Sequence, residues 1–183
     1  VAARDPQKGE AAKSDLLNDV PGADIAVERL DLASLASVRS FAERVASTAG
    51  LDLLIANAGV MALPRSETED GFEMQFGVNH LGHFALTGLL LPALRERPGA
   101  RVVIMTSAAA FMGRIDFDDL MGHAGYGRWR AYAQSKLANL LFARALAHRL
   151  TGHGLGVSAH ASHPGLVYTN LQRNVVALST RTT

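Results

Sequence analysis

Tyr132-Ala133-Gln134-Ser135-Lys136 is the segment whose residue types and spacing most directly suggest chemistry. Read as helix, a tyrosine and a lysine four residues apart share one face and lie one turn from each other. An ammonium beside a phenol favours the phenolate and lowers the tyrosine pKa from about 10. Tyr132 is thereby a candidate proton donor or acceptor at neutral pH. Taken alone, the pair also fits a surface tyrosine and a solvated lysine.

Ser107 closes the apolar run that ends Met105-Thr106-Ser107. A hydroxyl there can bond a substrate oxygen at the edge of a sheet, although a turn serine is the plain alternative. Ser107 and Tyr132 are distant in sequence, so only tertiary structure can join them. Asn57-Ala58-Gly59 ends another apolar run. Small residues let backbone approach a ligand closely, while Asn and Gly equally favour a simple turn. Asn79, in Val78-Asn79-His80-Leu81-Gly82, is polar inside an apolar helical region. It either bonds backbone and bends the helix, or holds a carbonyl or water inside a site. His80 and His83 have metal-chelating spacing, but no third ligand completes the pair, and no metal site is expected. No G-x-S-x-G nucleophile elbow is present.

These residues need elements to hold them. Val1 to Ala3 reads as the end of a strand, Pro6 to Leu17 as a helix with proline in its first turn, and Asp24 to Leu30 as a short strand. Ser34 can cap a helix to about Thr48, with Leu35, Val38, Phe41, Ala42 and Val45 on one face. Leu51 to Ala56 is a near-continuous apolar run, as expected of a strand buried on both faces of a parallel sheet. A long helical region from about Thr68 to Arg95 precedes a buried strand over Arg101 to Thr106. Phe111 to Gly127, with several glycines, reads as a loop or lid. Arg130 to Leu150 is helical, and Leu155 to Ser162 is a strand ended by His163-Pro164-Gly165. Such alternation predicts an α/β fold: an open parallel sheet covered by helices. Ligands in such sheets lie beyond the carboxyl ends of the strands, where Arg4, Asp31, Asn57, Ser107 and Pro164 are expected to gather.

The composition sets outer bounds. The 183 residues suit one domain. A net charge of +1 gives no electrostatic case for nucleic acid or an anionic membrane. The absence of cysteine excludes a disulfide scaffold and a thiolate metal site, and fits a reducing, cytoplasmic setting. No run approaches the roughly 20 apolar residues that cross a bilayer; the region around Phe84 to Leu94 is broken by Thr87, Gly88 and Pro92.

In their order, Asp31-Leu32 after a strand, Asn57-Ala58-Gly59, Asn79, Ser107, Tyr132-x-x-x-Lys136 and Pro164-Gly165 resemble the short-chain dehydrogenase/reductase family. The resemblance runs from Val1 to about Leu171. Val78-Asn79-His80-Leu81-Gly82-His83-Phe84 and Ser135-Lys136-Leu137-Ala138-Asn139 resemble its retinol-dehydrogenase-like branch, bacterial members included. The resemblance implies a Rossmann-type doubly wound parallel sheet and one NAD(P)-binding domain over 1–183. It implies an oxidoreductase interconverting an alcohol and an aldehyde or ketone. Tyr132 would be the catalytic acid/base, and Lys136 would lower its pKa and bind the nicotinamide ribose. Ser107 would hold the substrate oxygen, and Asn79 would support a water relaying protons to Lys136. Pro164, Gly165 and Thr169 would line the nicotinamide pocket. Asp31 and Leu32 would flank the adenine, and Asn57, Ala58 and Gly59 would lie under the cofactor.

NAD enzymes of this type place an acid after the second strand, whereas an arginine there suits a 2′-phosphate. The acid's place falls at Ala3, with Arg4 next, so NADP (as NADPH) is expected over NAD, with Asp5 as the competing neighbour. The chain departs from the family in having no glycine-rich T-G-x-x-x-G-x-G loop. It is expected to begin in the second strand of the order 3-2-1-4-5-6, leaving two inner edges unpaired, and to stop before the family's lid region and last strand. A catalytically inactive fragment or binding remnant is therefore the second reading. An epimerase or dehydratase on the same chemistry is a third, disfavoured by the retinol-dehydrogenase-like segments. The expected partners are a small carbonyl or alcohol substrate with an apolar body, and a second copy of the chain docked through the helices around Asn79 and Tyr132.

Overall fold

The computed structural model describes residues 1–48 and 50–165. It alternates strand and helix: β1 (Ala2–Ala3), α1 (Pro6–Asp19), β2 (Glu28–Arg29), α2 (Leu35–Ala46) and β3 (Leu53–Ala56) come first. There follow α3 (Met74–Phe76), a π-helical turn (Gly77–Leu81), α4 (Gly82–Arg95), β4 (Arg101–Met105), a 3-10 turn (Ala108–Met112), α5 (Arg128–Gly152) and β5 (Ser158–Ser162). All strand pairs are parallel. With helices between the strands, this is the expected Rossmann-type α/β arrangement.

Local chemistry explains the element ends. Asp5 caps α1, its carboxylate accepting from the Gln7 and Lys8 amides, with Pro6 in the first turn where no N–H is needed. Ser34 caps α2 through the Ser37 amide, and Val38, Phe41 and Ala42 go to the core. The helical region expected from Thr68 starts only at Met74. Thr68 is instead held in a turn by hydrogen bonds with Phe72, and the buried Glu73 caps the helix through the Gln75 and Phe76 amides. The strand expected over Asp24 to Leu30 forms a ladder only at Glu28–Arg29, because its partner β1 is itself two residues long.

The core is in two parts. Leu94, Val102, Ile104, Ala143 and Leu150 join α4, β4 and α5. Leu30, Leu32, Val38, Phe41, Leu86 and Leu90 join the end of β2 to α2 and α4. Each large aliphatic side chain buried this way contributes about 1.5–3 kcal/mol.

The sheet is in two pieces, β1-β2 and β3-β4-β5. Among the described residues β1 pairs only with β2 and β3 only with β4, so each has one unpaired edge, as the doubly wound order predicts. The expectation that β3 is buried on both faces is corrected. Leu53 and Ile55 are 42% and 54% exposed, because helices of the described chain cover only the face carrying Leu54 and Ala56. In the larger piece, Ala56 is level with Ile104 and Met105 with Ser162. The carboxyl ends of β3, β4 and β5 therefore form one edge, which presents Asn57, Ser107 and Pro164.

Gly82 makes the junction between α4 and the loop after β2. A Cβ there would stand 2.6 Å from the Leu32 carbonyl oxygen and 3.1 Å from the Leu32 Cβ. Neither backbone can move without disturbing the second core. Gly82→Ala is expected to destabilise the protein by about 1–3 kcal/mol, read as a lowered urea midpoint. An unchanged midpoint would show that α4 does not pack this closely.

Candidate active site

α5 carries the candidate catalytic residues on one stripe. Tyr132, Lys136 and Asn139 follow helical spacing, and all three are buried. The helix is fixed to the end of β4 by the Thr106 hydroxyl, which donates to the Lys136 carbonyl at 2.8 Å. Lys136 Nζ donates to the Met105 carbonyl at 3.3 Å and lies 5.8 Å from the centre of the Tyr132 ring. Ser107 meets the Tyr132 phenol at the end of β4, where its side-chain hydrogen bond favours the phenolate. Ser107 also caps the 3-10 turn, its hydroxyl accepting from the Ala109 amide. The structure thus brings Ser107, Tyr132 and Lys136 together from two elements.

Burial decides the electrostatics here. The Tyr132 phenol is pushed up from its ordinary value, chiefly by desolvation, with the Ser107 hydrogen bond opposing. Burial lowers Lys136 to about 8. The expectation that Lys136 lowers the Tyr132 pKa is therefore corrected for this geometry: the ammonium sits over the ring and bonds Met105, and desolvation of the phenol is the larger effect.

Asn79 is fully buried in the π-helical turn, and its side chain bonds backbone as the plainer reading expects. The helix is locally widened there, a feature common at functional sites. Its amide oxygen accepts from the Val60 amide at 2.8 Å, and its amide nitrogen donates to the Val60 carbonyl and the Ser135 hydroxyl, both at 2.9 Å. Ser135 passes the connection on to the Tyr132 carbonyl at 2.7 Å. Asn79 thus clamps the loop after β3 against α5. Gly59 lies inside this clamp: a Cβ there would be 3.0 Å from Asn79 Oδ1 and 3.7 Å from Lys136 Nζ.

The other expected residues are more dispersed. Asn57, Ala58, Pro164 and Gly165 are exposed along the carboxyl edge of the larger sheet piece. Arg4 is exposed at the end of β1, and Asp5 is committed to capping α1. Asp31 is half-buried, its carboxylate accepting from the Ala33 amide, and Leu32 is buried against Gly82. Thr169 lies outside the described residues. His80 and His83 bond different partners, Asn139 and the Asn79 carbonyl. Among the described residues no three His, Cys, Asp or Glu side chains gather as a metal site would require.

Sequence reasoning missed four residues that hold the site. Thr106, Asn139, Gln134 and Gln75 are all buried. Gln134 grips the loop after the 3-10 turn, accepting from the Asp116 amide and donating to the Leu120 carbonyl, both at 2.9 Å. Gln75 accepts from the amide of Ala62, a buried residue at φ 51°, and donates to the Tyr126 hydroxyl and the Arg128 carbonyl. The region expected as a lid is therefore buttoned to α5. For Gln75, Gln134 and Asn139 the available signal was a polar side chain within an otherwise apolar helical stretch.

The short chain dehydrogenase family model matches residues 1–178. Retinol dehydrogenase 12 of Mus musculus is 51% identical over 175 residues, which are 95% of this chain and 55% of that protein. Human retinol dehydrogenase 13 is 47% identical over 176 residues, 95% of this chain and 53% of that one. The chain thus spans about half the length of the curated relatives it matches. A solved structure from Mycobacterium paratuberculosis is 49% identical, with a TM-score of 0.80 over 94% of this chain and 60% of that one. The RhlG/NADP active-site complex of Pseudomonas aeruginosa is 27% identical, with a TM-score of 0.71 over 96% of this chain and 65% of that one.

His83 packs behind the site and donates from Nδ1 to the Asn79 carbonyl at 3.0 Å. Desolvation lowers its pKa to about 4 from 6.5. The unfolded chain therefore binds a proton between pH 6.5 and 4 that the folded chain refuses. Stability from this group is complete above pH 6.5 and falls as pH drops through that window, by about 3 kcal/mol in all. His83→Gln should lose less stability than the parent between pH 7 and pH 4, measured by urea unfolding. Parallel losses would show that the imidazole is not what limits acid stability.

Proposed function

Because the chain belongs to the short-chain dehydrogenase family, we propose that it carries the catalytic residues of an NADP-dependent oxidoreductase interconverting an alcohol and an aldehyde or ketone. One observation carries the reading: Ser107, Tyr132 and Lys136 converge at the carboxyl end of β4, with Gly59 opposite. The residues fit a bound dinucleotide in two respects. Gly59 leaves a cradle that a Cβ would fill. Lys136 Nζ has the Met105 carbonyl as its one acceptor among the described residues, which leaves N–H groups for a ribose.

When bound, the nicotinamide supplies or takes the hydride. In the reduction direction the Ser107 hydroxyl holds the carbonyl oxygen, and the Tyr132 phenol gives that oxygen its proton. Lys136 would donate to the ribose hydroxyls, and its ammonium, 5.8 Å from the ring centre, would offset part of the cost of the phenolate left on Tyr132. Burial keeps the phenol protonated, and the negative charge that develops on the substrate oxygen is what would draw its proton away. Asn57, Ala58 and Gly59 would lie under the cofactor, Asp31 and Leu32 beside the adenine, and Pro164, Gly165 and Thr169 around the nicotinamide. This makes 1–183 one NAD(P)-binding domain.

NADP over NAD rests on Arg4, exposed beside an Asp5 whose carboxylate is spent on two helix amides. The similar RhlG structure is itself an NADP complex. An apolar substrate is supported by the retinol dehydrogenase relatives and by Trp129, which stacks edge-on against Tyr132 and is half exposed. Exposed Phe84, Leu89 and Leu141 on α4 and α5 support pairing of two copies. The absence of cysteine supports a reducing, cytoplasmic setting.

Two variants test the proposal. Tyr132→Phe should lower carbonyl reduction by about 10²- to 10⁴-fold while NADPH affinity, followed by cofactor fluorescence, changes little. Retained turnover would remove Tyr132 from the acid/base role. Arg4→Ala should weaken NADPH by roughly tenfold or more and leave NADH nearly unchanged. Equal losses would defeat the 2′-phosphate assignment.

A further inference from the structure

Asn139 lies one turn beyond Lys136 on the same stripe of α5 and is 1% exposed. Its amide nitrogen has two hydrogens and two acceptors, the Asn79 carbonyl at 3.0 Å and the Met105 carbonyl at 3.1 Å. The Met105 carbonyl is also the acceptor of Lys136 Nζ. The Asn139 amide oxygen faces His80 Nδ1 at 3.1 Å. Both carbonyls require donors, so the amide has one orientation, and His80 must carry its proton on Nδ1. His80 is wedged among Phe76, Phe84 and Phe142, and burial keeps it neutral. Every polar atom of Asn139 is therefore used, and the group against which it orients is anchored in turn.

We infer that Asn139 is a positioning residue for Lys136: it fixes the Met105 carbonyl that tethers the lysine and ties that carbonyl to the Asn79 turn. The two bonds hold the end of β4 and the π-helical turn at a set distance on either side of the lysine. They also occupy one lone pair of the Met105 carbonyl, which limits how strongly that oxygen can draw in the ammonium. The Asn79 carbonyl accepts from both Asn139 and His83, so both of its lone pairs are filled. The titratable groups around Lys136 are Tyr132 on its own helix, and His80 and His83 on the turn and α4 opposite.

Removing the two donors while keeping the volume frees the Met105 carbonyl for the ammonium. Lys136 is then better bonded in its charged form and is drawn toward β4, away from the phenol. A titration can read this directly, because the chain has three lysines, Lys8, Lys13 and Lys136. Protein labelled with ¹³C-lysine gives three Cε signals, and the Lys136 signal is assigned by its loss in Lys136→Met. In Asn139→Leu the Lys136 midpoint should rise by roughly half a pH unit or more, with the Lys8 and Lys13 signals unmoved. A smaller residue, Asn139→Ser, which keeps one donor and admits water, should shift it in the same direction if the leucine variant does not fold. A residue with only a structural role would lower thermal stability and leave the Lys136 midpoint where it was, and that result in either folded variant would overturn the inference.

The assignment rests on the proposed role of Lys136 but is tested apart from it. Carbonyl reduction by Asn139→Leu should fall roughly tenfold to a hundredfold. If the unsubstituted chain reduces no carbonyl at all, the proposed function fails while the titration still decides the role of Asn139.

Discussion

The structure of the site depends on the placement of one buried amide. Asn79 has no solvent contact, and its side chain makes three hydrogen bonds, two to the backbone of Val60 and one to Ser135. A buried amide left unpaired costs on the order of 1–3 kcal/mol per group. The loop after β3, the π-helical turn and α5 can therefore pack in only one mutual arrangement. Gly59 is carried by that loop, Tyr132 and Lys136 by that helix, so the distance across the site follows from these bonds. The widened turn fits the same logic, since an extra backbone residue in the helix lets the Asn79 carbonyl and side chain both point into the interface.

This part of the molecule achieves order by polar satisfaction more than by apolar packing. Gln75, Asn79, Ser135, Lys136 and Asn139 are all nearly or fully buried, and no buried side-chain nitrogen or oxygen among the described residues lacks a partner. Such networks specify one geometry because a partial break leaves an orphaned group in a low-dielectric setting. The apolar clusters do different work: they hold α2, α4 and α5 against the sheet, where small shifts are tolerable. Rigidity is thus concentrated where the chemistry is proposed, and bulk stability is supplied by the aliphatic layers beside it.

The alternation of elements was legible because strands and helices differ in length and apolar pattern, and the ligand edge followed from parallel topology alone. Ser107, Tyr132 and Lys136 could be listed from sequence, and the fold brings them together. Other features depend on neighbours that periodicity does not encode. Leu53 and Ile55 read as core, yet face outward because no described element covers that side of β3. Thr68 reads as a helix start, but its hydroxyl bonds the Phe72 amide and delays the helix to Met74. Asn139, Gln134 and Gln75 look like ordinary helical polar residues until their burial and partners are known. The direction of the Tyr132 shift differs from the sequence expectation for a similar reason. Spacing reveals that a lysine is near, but not that both groups are desolvated.

That desolvation bears on the proton that the proposed reaction moves. A phenol held above its ordinary pKa is protonated at neutral pH, the form from which the proposed reduction starts, but it is a weaker acid than a free phenol. Alcohol oxidation needs the phenolate, whose formation in this setting depends on a positive charge nearby. Lys136, lowered to about 8, is mostly charged at pH 7 and loses that charge as pH rises through its midpoint. Raising the pH therefore favours the phenolate in solution but removes the ammonium that stabilises it in the site. The two effects oppose each other for oxidation. For reduction the protonated phenol and the charged lysine coexist on the acid side of the Lys136 midpoint. The same two groups would serve both directions, so these shifts bear on the pH dependence of the proposed proton transfer and not on its direction.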